Sequence, residues 1–444
     1  MTLKEEVKSI YVGRPTKEEK REARRKAKEG RHSERRNLVP SYKLYKILLI
    51  AMGVLSICFL LALIVVDALP TDLTFVLIAI MIAMMVLACV LFASKKRWKR
   101  VMGISVVLIF ALIFTTTTSF MANTYRMFNK ISDSGKLATG PMAKQVDVTE
   151  EPFNIYITGI DQWASEKGLD LERSDVNMIV TVNPQTNKVL LTSIPRDTYV
   201  KLHTAQQMDK LTHTGIYGVD ETLNTVEDWM GITINYYVKM NFTGARDIID
   251  AIGGVDVYSP VAFKSSIKWY KYKKGWNHLS GKEAIYFARE RKSFEGQDAV
   301  RIENQQRVME AVIKKMTSST TLLMNYGDVV AAAGEQMQTN MSTSEMQDLV
   351  RMQIAELTPW DVNKQKIEGD YDQDYVASLT QKQKFSIYRP SEESVRSCTE
   401  GINNIMNPPA IEIEEAKKGR NRSFIINAIK RMTNQDSEEE AVEE

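Results

Sequence analysis

Arg289 and Arg291 stand two apart, Asp298 follows a short polar segment, and Arg301 lies three residues beyond Asp298. Three guanidiniums around one carboxylate form an unusual grouping for a solvated surface. The planar guanidinium fork matches phosphate geometry with paired hydrogen bonds, so the grouping points to an anion site, with phosphate the leading occupant. A charged strip beside a helix start is also ordinary surface, and on this stretch alone that reading is the commoner one.

Three further stretches place charge where strands begin or end: Gly159-Ile160-Asp161, Arg173-Ser174-Asp175 and Ser193-Ile194-Pro195-Arg196-Asp197. Ligands of α/β folds gather at strand ends, which gives these residues more weight than charges on helix faces. Asp and Arg at such positions also serve as turn formers and structural pairs. Other chemistries find no support. There is no Ser-His-Asp order, no Walker motif and no GxGxxG. The four histidines, His32, His203, His213 and His278, lack metal-ligand spacing. Cys58 and Cys89 fall in apolar runs and leave Cys398 alone, which rules out a CxxC site or a disulfide framework in the remainder.

The elements that must position these residues begin near Pro152. FNIYITGI reads as a strand, and NMIVTV and KVLLTSI flank an Asn183-Pro184-Gln185-Thr186-Asn187 hairpin turn. Asp220 is the expected cap of a helix that stops at Gly231, and Thr243 the expected cap of one that ends at Gly253-Gly254. INYYVKM and VDVYS read as strands. Ser280 with Glu283 makes a capping box for a helix that delivers Arg289 and Arg291 at its C-terminal end. A second helix is predicted from about Asp298 to Thr317, with further helix-like segments over Thr320 to Leu357. Interleaved strand and helix signals imply an α/β or α+β domain with a central mixed sheet.

Ahead of that domain the chain is of a different kind. Three apolar runs, Ile47 to Val66, Leu73 to Ala93 and Val101 to Met121, approach or exceed the roughly 20 residues that a membrane-spanning helix needs. The net charge of +3 hides a strong segregation, because basic residues concentrate before residue 47. The N-terminal segment and Lys95, Lys96, Arg97, Lys99 and Arg100 belong on the cytoplasmic side, whereas the Asp67–Asp72 link carries no Lys or Arg. An odd number of spans then places everything after about Asn123 outside the cytoplasm. The organisation expected is a basic cytoplasmic segment (1–43), three transmembrane helices (44–122), a polar stalk (123–151), the α/β domain (152–410) and a charged, disordered tail (411–444) in which SFIINAIKRM could form a short helix.

Taken in order, FNI leading to Gly159-x-Asp161, then RSD, SIPRDTYV, Lys210, GGVDV at Gly253 to Val257, and RER with Asp298, Arg301 and a Gln pair resemble the LytR-CpsA-Psr family over roughly residues 152 to 320. The three-span N-terminus is similar to that of the capsule-polysaccharide members. The resemblance implies an extracytoplasmic α/β domain of α-β-α type that binds a polyprenyl pyrophosphate lipid in a hydrophobic tunnel. It also implies transfer of the lipid-carried glycopolymer, capsular or exopolysaccharide, onto peptidoglycan through a phosphodiester, at the cell membrane of a Gram-positive type bacterium. Capsule-assembly proteins are further implied partners.

Carried over residue by residue, Asp161 and Asp175 match the family's magnesium-binding carboxylates, with Mg2+ or Mn2+ as the implied cofactor. Arg173, Arg196, Arg289, Arg291 and Arg301 match its pyrophosphate-binding arginines. Among these, Arg196, Arg289 and Arg291 with the acidic Asp298 are the expected catalytic set. Arg173, Lys210, Arg301 and Gln305 are the expected substrate contacts. The chain departs from the family at Gln162 and Trp163, where an Arg often follows the first Asp, and at Asn304, where many members carry Arg before the Gln pair. Two other functions fit the same residues less well. One is hydrolysis of the lipid pyrophosphate. The other is a membrane regulator whose basic segment binds DNA, which mixed charge and the lack of a helix-turn-helix pattern in residues 1–43 argue against.

Overall fold

The computed structural model describes residue 25 and residues 42–66, 71–131, 145–160, 174–266, 269–295, 297–318, 329, 332, 337–356, 358–379 and 383–418. Most of the basic segment, most of the Asp67–Asp72 link, Asp161, Arg173 and the SFIINAIKRM segment lie outside these residues. The chain divides into two compact units, one built on the apolar helices and one on the C-terminal domain.

Three helices open the chain: α1 (Tyr42–Val66), α2 (Thr71–Ala93) and α3 (Arg97–Ile131). Each holds a stretch long and apolar enough to cross a membrane: Lys43–Ile64, Thr74–Ala93 and Arg97–Ser119. Their mutual contacts include aromatic pairs. Phe59 meets Phe114 edge-on at 4.7 Å, and Tyr45 lies 4.8 Å from Phe92. Ile47, Phe75 and Leu112 point outward, as expected of side chains whose solvent is lipid. Four consecutive threonines in α3 fit an apolar setting because each hydroxyl bonds a carbonyl one turn back, as Thr116 does to Leu112 at 2.7 Å and Thr118 to Phe114 at 2.6 Å. The helix continues to Ile131. Its last residues therefore extend into the segment that the sequence suggested as stalk, because nothing from Asn123 to Ile131 breaks a helix.

In the C-terminal unit the strands are β1 (Phe153–Ile160), β2 (Ser174–Asn183), β3 (Lys188–Ser193), β4 (Tyr199–Lys201) and β5 (Met208–Lys210). After a 3₁₀ turn come α4 (Val219–Met230), β6 (Tyr236–Asn241), α5 (Phe242–Ala251), β7 (Val255–Ser259), β8 (Phe263–Lys264), β9 (Lys271–Tyr272) and β10 (Gly275–Leu279). Then follow α6 (Gly281–Arg289), α7 (Gln297–Met316), β11 (Met337–Thr339), α8 (Thr343–Glu356), β12 (Asp361–Lys366), β13 (Gly369–Asp374), β14 (Phe385–Pro390) and α9 (Glu392–Met406).

Six strands form one sheet in the order β11-β6-β1-β2-β3-β12. It is mixed: β1 runs parallel to β6, and β3 to β12, while the other neighbours are antiparallel. Both faces are covered, so the central strands are apolar almost throughout. Tyr156, Ile179 and Leu190 pack toward Val226 of α4 and Ile402 of α9. Their neighbours Met178, Val189 and Leu191 pack on the other face toward Met309 and Ile313 of α7. Burying each such side chain contributes about 1.5–3 kcal/mol. The result is the α-β-α arrangement of a mixed sheet.

Two helix starts differ from the sequence expectation. The cap of α4 is Gly218, and Asp220 sits inside the first turn. The cap of α5 is Asn241, whose side chain accepts from the Gly244 amide at 2.7 Å, so Thr243 is already helical. In both cases the preceding strand or turn delivers the chain two residues earlier. The Asn183–Asn187 turn forms as expected, with Asn187 at φ 53°. Ser280 and Glu283 form the expected capping box of α6.

Candidate active site

Asp175 is the second residue of β2, and Arg196 follows the end of β3 on the neighbouring strand. The turn carrying Arg196 is fixed by backbone hydrogen bonds: the Ile194 amide donates to the Asn177 carbonyl at 2.9 Å, and the Thr212 amide to the Arg196 carbonyl at 2.8 Å. From this support Arg196 Nη1 donates to Asp175 Oδ1 at 2.5 Å, and its Nε lies 3.5 Å from Asp197 Oδ2. Lys210 Nζ donates to the other Asp197 oxygen at 3.1 Å. Burial alone would lower the Arg196 guanidinium, but Asp175 and Asp197 outweigh it and hold the group above its ordinary value.

A second group arrives from α7. Asp298 lies in the first turn of that helix, where the exposed amides favour a negative charge. Arg301 Nη2 stands 3.5 Å from Asp298 Oδ2, Arg291 Nη1 stands 3.7 Å from Oδ1, and the Tyr371 hydroxyl donates to Oδ2 at 3.3 Å. These contacts are long for charge-assisted hydrogen bonds, so the guanidinium donors are not consumed by the carboxylate. Burial depresses Arg301, and the like charges of Arg196 and Arg291 add to that, while Asp298 and Asp175 oppose it. Arg196 in turn feels Asp298. The strand-end group and the helix-start group therefore form one electrostatic site.

Its composition favours an anion. Arg196, Arg291, Arg301 and Lys210 face Asp175, Asp197 and Asp298. Arg196 Nε, Arg301 Nε and Asp298 Oδ1 are buried without hydrogen-bond partners. A buried donor left unsatisfied costs about 1–3 kcal/mol, and phosphate oxygens would remove that cost at the two guanidiniums. Oxygen ligands for a divalent cation are also present. Asp175 keeps one oxygen outside its bond to Arg196, and Mg2+ takes one or two carboxylates plus phosphate oxygens and water. The described residues contain no cluster of three metal-ligating side chains, and Asp161 is not among them.

The remaining sequence candidates are distributed as follows. Arg289, at the end of α6, lays its guanidinium 4.4 Å from the centre of the Phe242 ring. Gln305 is half-buried on α7, one turn beyond Arg301. Asn304 accepts from Arg307 Nη1 at 2.8 Å, and its Nδ2 is buried without a partner. Arg173 lies outside the described residues.

Two residues enter the site to which the sequence alone gave no role. Asp197 was visible in the SIPRD stretch, and it bridges Arg196 to Lys210. Tyr371 comes from β13, in a polar strand with no motif around it. Burial and the carboxylates of Asp298 and Asp197 push its hydroxyl up to about 12, so it stays a donor at neutral pH.

Beside Lys210 lies a cluster of another kind. Asp209 accepts from His213 Nδ1 at 2.7 Å and from the Ser378 amide at 2.7 Å. Burial raises the Asp209 carboxyl, yet the bonds from His213, Ser378 and the Lys210 amide hold it below its ordinary value. Ser378 Oγ and Asp209 meet the same ring nitrogen of His213. A relay from a nucleophilic serine needs the two opposite nitrogens, so this cluster is a support for Lys210.

The LytR_cpsA_psr family profile matches residues 114–401. The polyisoprenyl-teichoic acid–peptidoglycan teichoic acid transferase TagU of Bacillus mycoides (strain KBAB4) is 34% identical over 238 residues, which is 53% of this chain and 74% of that protein. Among solved structures, B. subtilis TagV is 28% identical and covers 58% of this chain and 98% of its own, with a TM-score of 0.48. Protein gbs0355 of Streptococcus agalactiae shares the fold, at 24% identity, 60% and 91% coverage and a TM-score of 0.50.

Proposed function

The chain belongs to the LytR-CpsA-Psr family, and from that premise we propose that it is a membrane-anchored phosphotransferase that moves a polyprenyl-pyrophosphate-linked glycopolymer onto peptidoglycan. The observation that carries this reading is the meeting of Asp175 and Arg196 with Asp298, Arg301 and Tyr371, from segments far apart in sequence. Its curated relative in Bacillus mycoides is named for a polyisoprenyl-linked teichoic acid and peptidoglycan. For the polymer of this chain we favour capsular or related polysaccharide, because its three membrane-capable helices resemble the N-terminus of the capsule-polysaccharide members of the family. The domain faces away from the cytoplasm on the charge argument, with basic residues preceding α1 and beginning α3 and none in the Asp67–Asp72 link. Capsule-assembly proteins are natural neighbours for such an enzyme.

In the reaction, a peptidoglycan sugar hydroxyl attacks the phosphorus that carries the polymer's sugar. A new O–P bond forms, the bridging P–O bond breaks, and polyprenyl phosphate leaves. Arg196 and Arg301 neutralise the pyrophosphate oxygens, which would otherwise repel the incoming oxygen, and stabilise charge growing on the leaving phosphate. Arg289, Arg291 and Lys210 would add positive charge, and Gln305 is the head-group contact that the family resemblance implies. Tyr371 donates to Asp298 and helps to hold that carboxylate. Asp175 and Asp298 are the carboxylates available to accept the proton of the attacking hydroxyl. A magnesium ion held by Asp161 and Asp175 would supply further charge neutralisation at the phosphates.

The test is the full chain in proteoliposomes, given labelled lipid-linked polymer and peptidoglycan. Label bound to peptidoglycan supports transfer. Label released into water with peptidoglycan untouched overturns it in favour of hydrolysis. Offering capsular and teichoic polymers in parallel decides the polymer class.

A further inference from the structure

Between Asp256 and Glu283 the chain holds six lysines and no acidic residue, and up to Leu279 its described residues form a ribbon of two successive antiparallel strand pairs. β7 pairs with β10 and, further out, β8 pairs with β9. The alternation of the ribbon turns Val255, Val257, Asn277 and Leu279 inward and leaves Tyr258 and Trp276 outside. Those two rings touch edge-on at 5.6 Å, yet Trp276 remains 64% exposed and Tyr258 45%. At the outer end Val261 is 47% exposed and Trp269 69%. Trp269 holds a left-handed φ of 63°, with its amide bonded to the Ser265 carbonyl and the Lys264 ammonium 4.1 Å from its ring centre. Lys264, Lys271, Lys273 and Lys274 are exposed around these apolar groups.

The ribbon is also joined to the arginines of the site. Glu290, between Arg289 and Arg291, is fully buried and accepts from the Ser266 amide at 2.6 Å. Ser293 Oγ donates to the Lys264 carbonyl at 2.7 Å, and Phe263 packs on Phe294. Whatever fixes the tip of the ribbon therefore fixes the loop that carries Arg289 and Arg291.

We infer that this ribbon is a membrane-docking surface that sits in the headgroup layer of an anionic bilayer. Tryptophan and tyrosine prefer that depth, because each has an apolar body and a polar edge. Clustered exposed lysines are drawn to anionic lipid headgroups. An anionic glycopolymer would satisfy the lysines, and sugars could stack on the rings. The exposed aliphatic Val261 at the same end, and a chain already carrying three membrane-capable helices, favour the bilayer. The inference draws its purpose from the proposed lipid-linked substrate: docking would hold the Arg289–Arg291 loop where a pyrophosphate emerges from the membrane. Docking itself is testable without that substrate.

The experiment uses the full chain with Cys58→Ala, Cys89→Ala and Ala262→Cys, labelled with a polarity-sensitive fluorophore and reconstituted in vesicles containing phosphatidylglycerol. Expected are a blue-shifted emission and quenching by lipids spin-labelled near the headgroup, with no such quenching for the same label at Lys201→Cys. Lys264→Glu with Lys271→Glu, and separately Trp269→Ala with Trp276→Ala, should return the Ala262 label to the aqueous level. A label that remains aqueous in phosphatidylglycerol vesicles overturns the proposal. So does a shift that appears only when soluble anionic glycopolymer is added, since that marks a polymer contact. Transfer measured on the same vesicles separates the two readings: docking without transfer removes the proposed function alone, and transfer without docking removes this inference alone.

Discussion

Arg301 stands one turn from Asp298 on α7 with 3.5 Å between the nearest nitrogen and oxygen, while Arg301 Nε and Asp298 Oδ1 are buried without hydrogen-bond partners. The pair is positioned but not satisfied. A guanidinium in that state is suited to a ligand that brings its own oxygens, and its contribution should be greatest when charge develops on a phosphoryl group.

Replacing Arg301 by Ala should therefore lower the transfer rate by about 100-fold or more, in the range seen when one preorganised donor to a developing charge is removed. Arg301→Lys should recover little, since an ammonium cannot reproduce the planar fork. Arg196→Ala should behave similarly and leave Asp175 without its partner. Rates of label transfer in proteoliposomes read these losses. Equal rates in Arg301→Lys and the parent chain would refute a role for the fork.

Tyr371→Phe keeps the ring against Tyr388 and removes only the hydroxyl that meets Asp298. The acceptor is a carboxylate but the bond is long at 3.3 Å, so it contributes about 1.5 kcal/mol, at the low end for a charged partner, and transfer should fall by about tenfold. Because the hydroxyl is pushed up to about 12, the parent chain should show no loss attributable to Tyr371 through neutral and mildly alkaline pH. A pH–rate profile of both proteins checks this. An ionisation near neutral pH that disappears in Tyr371→Phe would contradict it.

Tyr371 also marks the limit of what the sequence reveals. Asp175, Arg196, Asp298 and Arg301 could be singled out because their types and spacing are unusual and they lie at strand ends or a helix start. Tyr371 sits in β13, GDYDQD, where neither period nor composition announces a strand. The same reason hides both edges of the main sheet. β12 reads DVNKQK and β11 only three residues, since edge strands carry polar residues that suppress further pairing. Central β2 and β3 are apolar on both faces and were plain. The capping box of α6 was legible because its signal lies within four residues, whereas the starts of α4 and α5 depend on how the preceding segment arrives.

α6 approaches α5 so closely that a Cβ on Gly281 would come within 2.1 Å of the Arg246 carbonyl oxygen. That oxygen is backbone and cannot swing aside. Gly281→Ala should destabilise the protein by about 1–3 kcal/mol through overpacking. Because α6 ends at Arg289, transfer should fall along with thermal stability. Thermal melts in detergent and the transfer assay test both. An unchanged melting temperature would show that the helices separate freely.

If Asp175 helps to hold a divalent cation, chelation with EDTA should abolish transfer and added Mg2+ restore it. Asp175→Asn keeps a hydrogen-bond acceptor for Arg196 and loses the charge. Bound Mn2+, read by its paramagnetic resonance signal, should weaken by about tenfold or more. Undiminished transfer in excess EDTA would remove the metal from the reaction.

Acid should loosen α7 through residues on its far side. Glu310 bonds Lys314 on its own helix at 2.6 Å and Lys364 of β12, and Glu303 bonds Lys366 of the same strand at 3.0 Å. Burial works against both charges, but the lysines win and hold both carboxyls below the ordinary value of 4.5. A carboxyl whose pKa is lower folded than unfolded adds stability above its unfolded value and loses it as pH falls through the folded value. The melting temperature of the parent chain should thus decline below about pH 4.5 more steeply than that of the Glu303→Gln, Glu310→Gln variant. At neutral pH the variant should be the less stable of the two, by a small amount because these groups are partly solvated. Since α7 carries Asp298 and Arg301, the variant should also place them less accurately and lose some transfer at neutral pH. Parallel melting curves across this range would show that the ties between α7 and β12 contribute nothing.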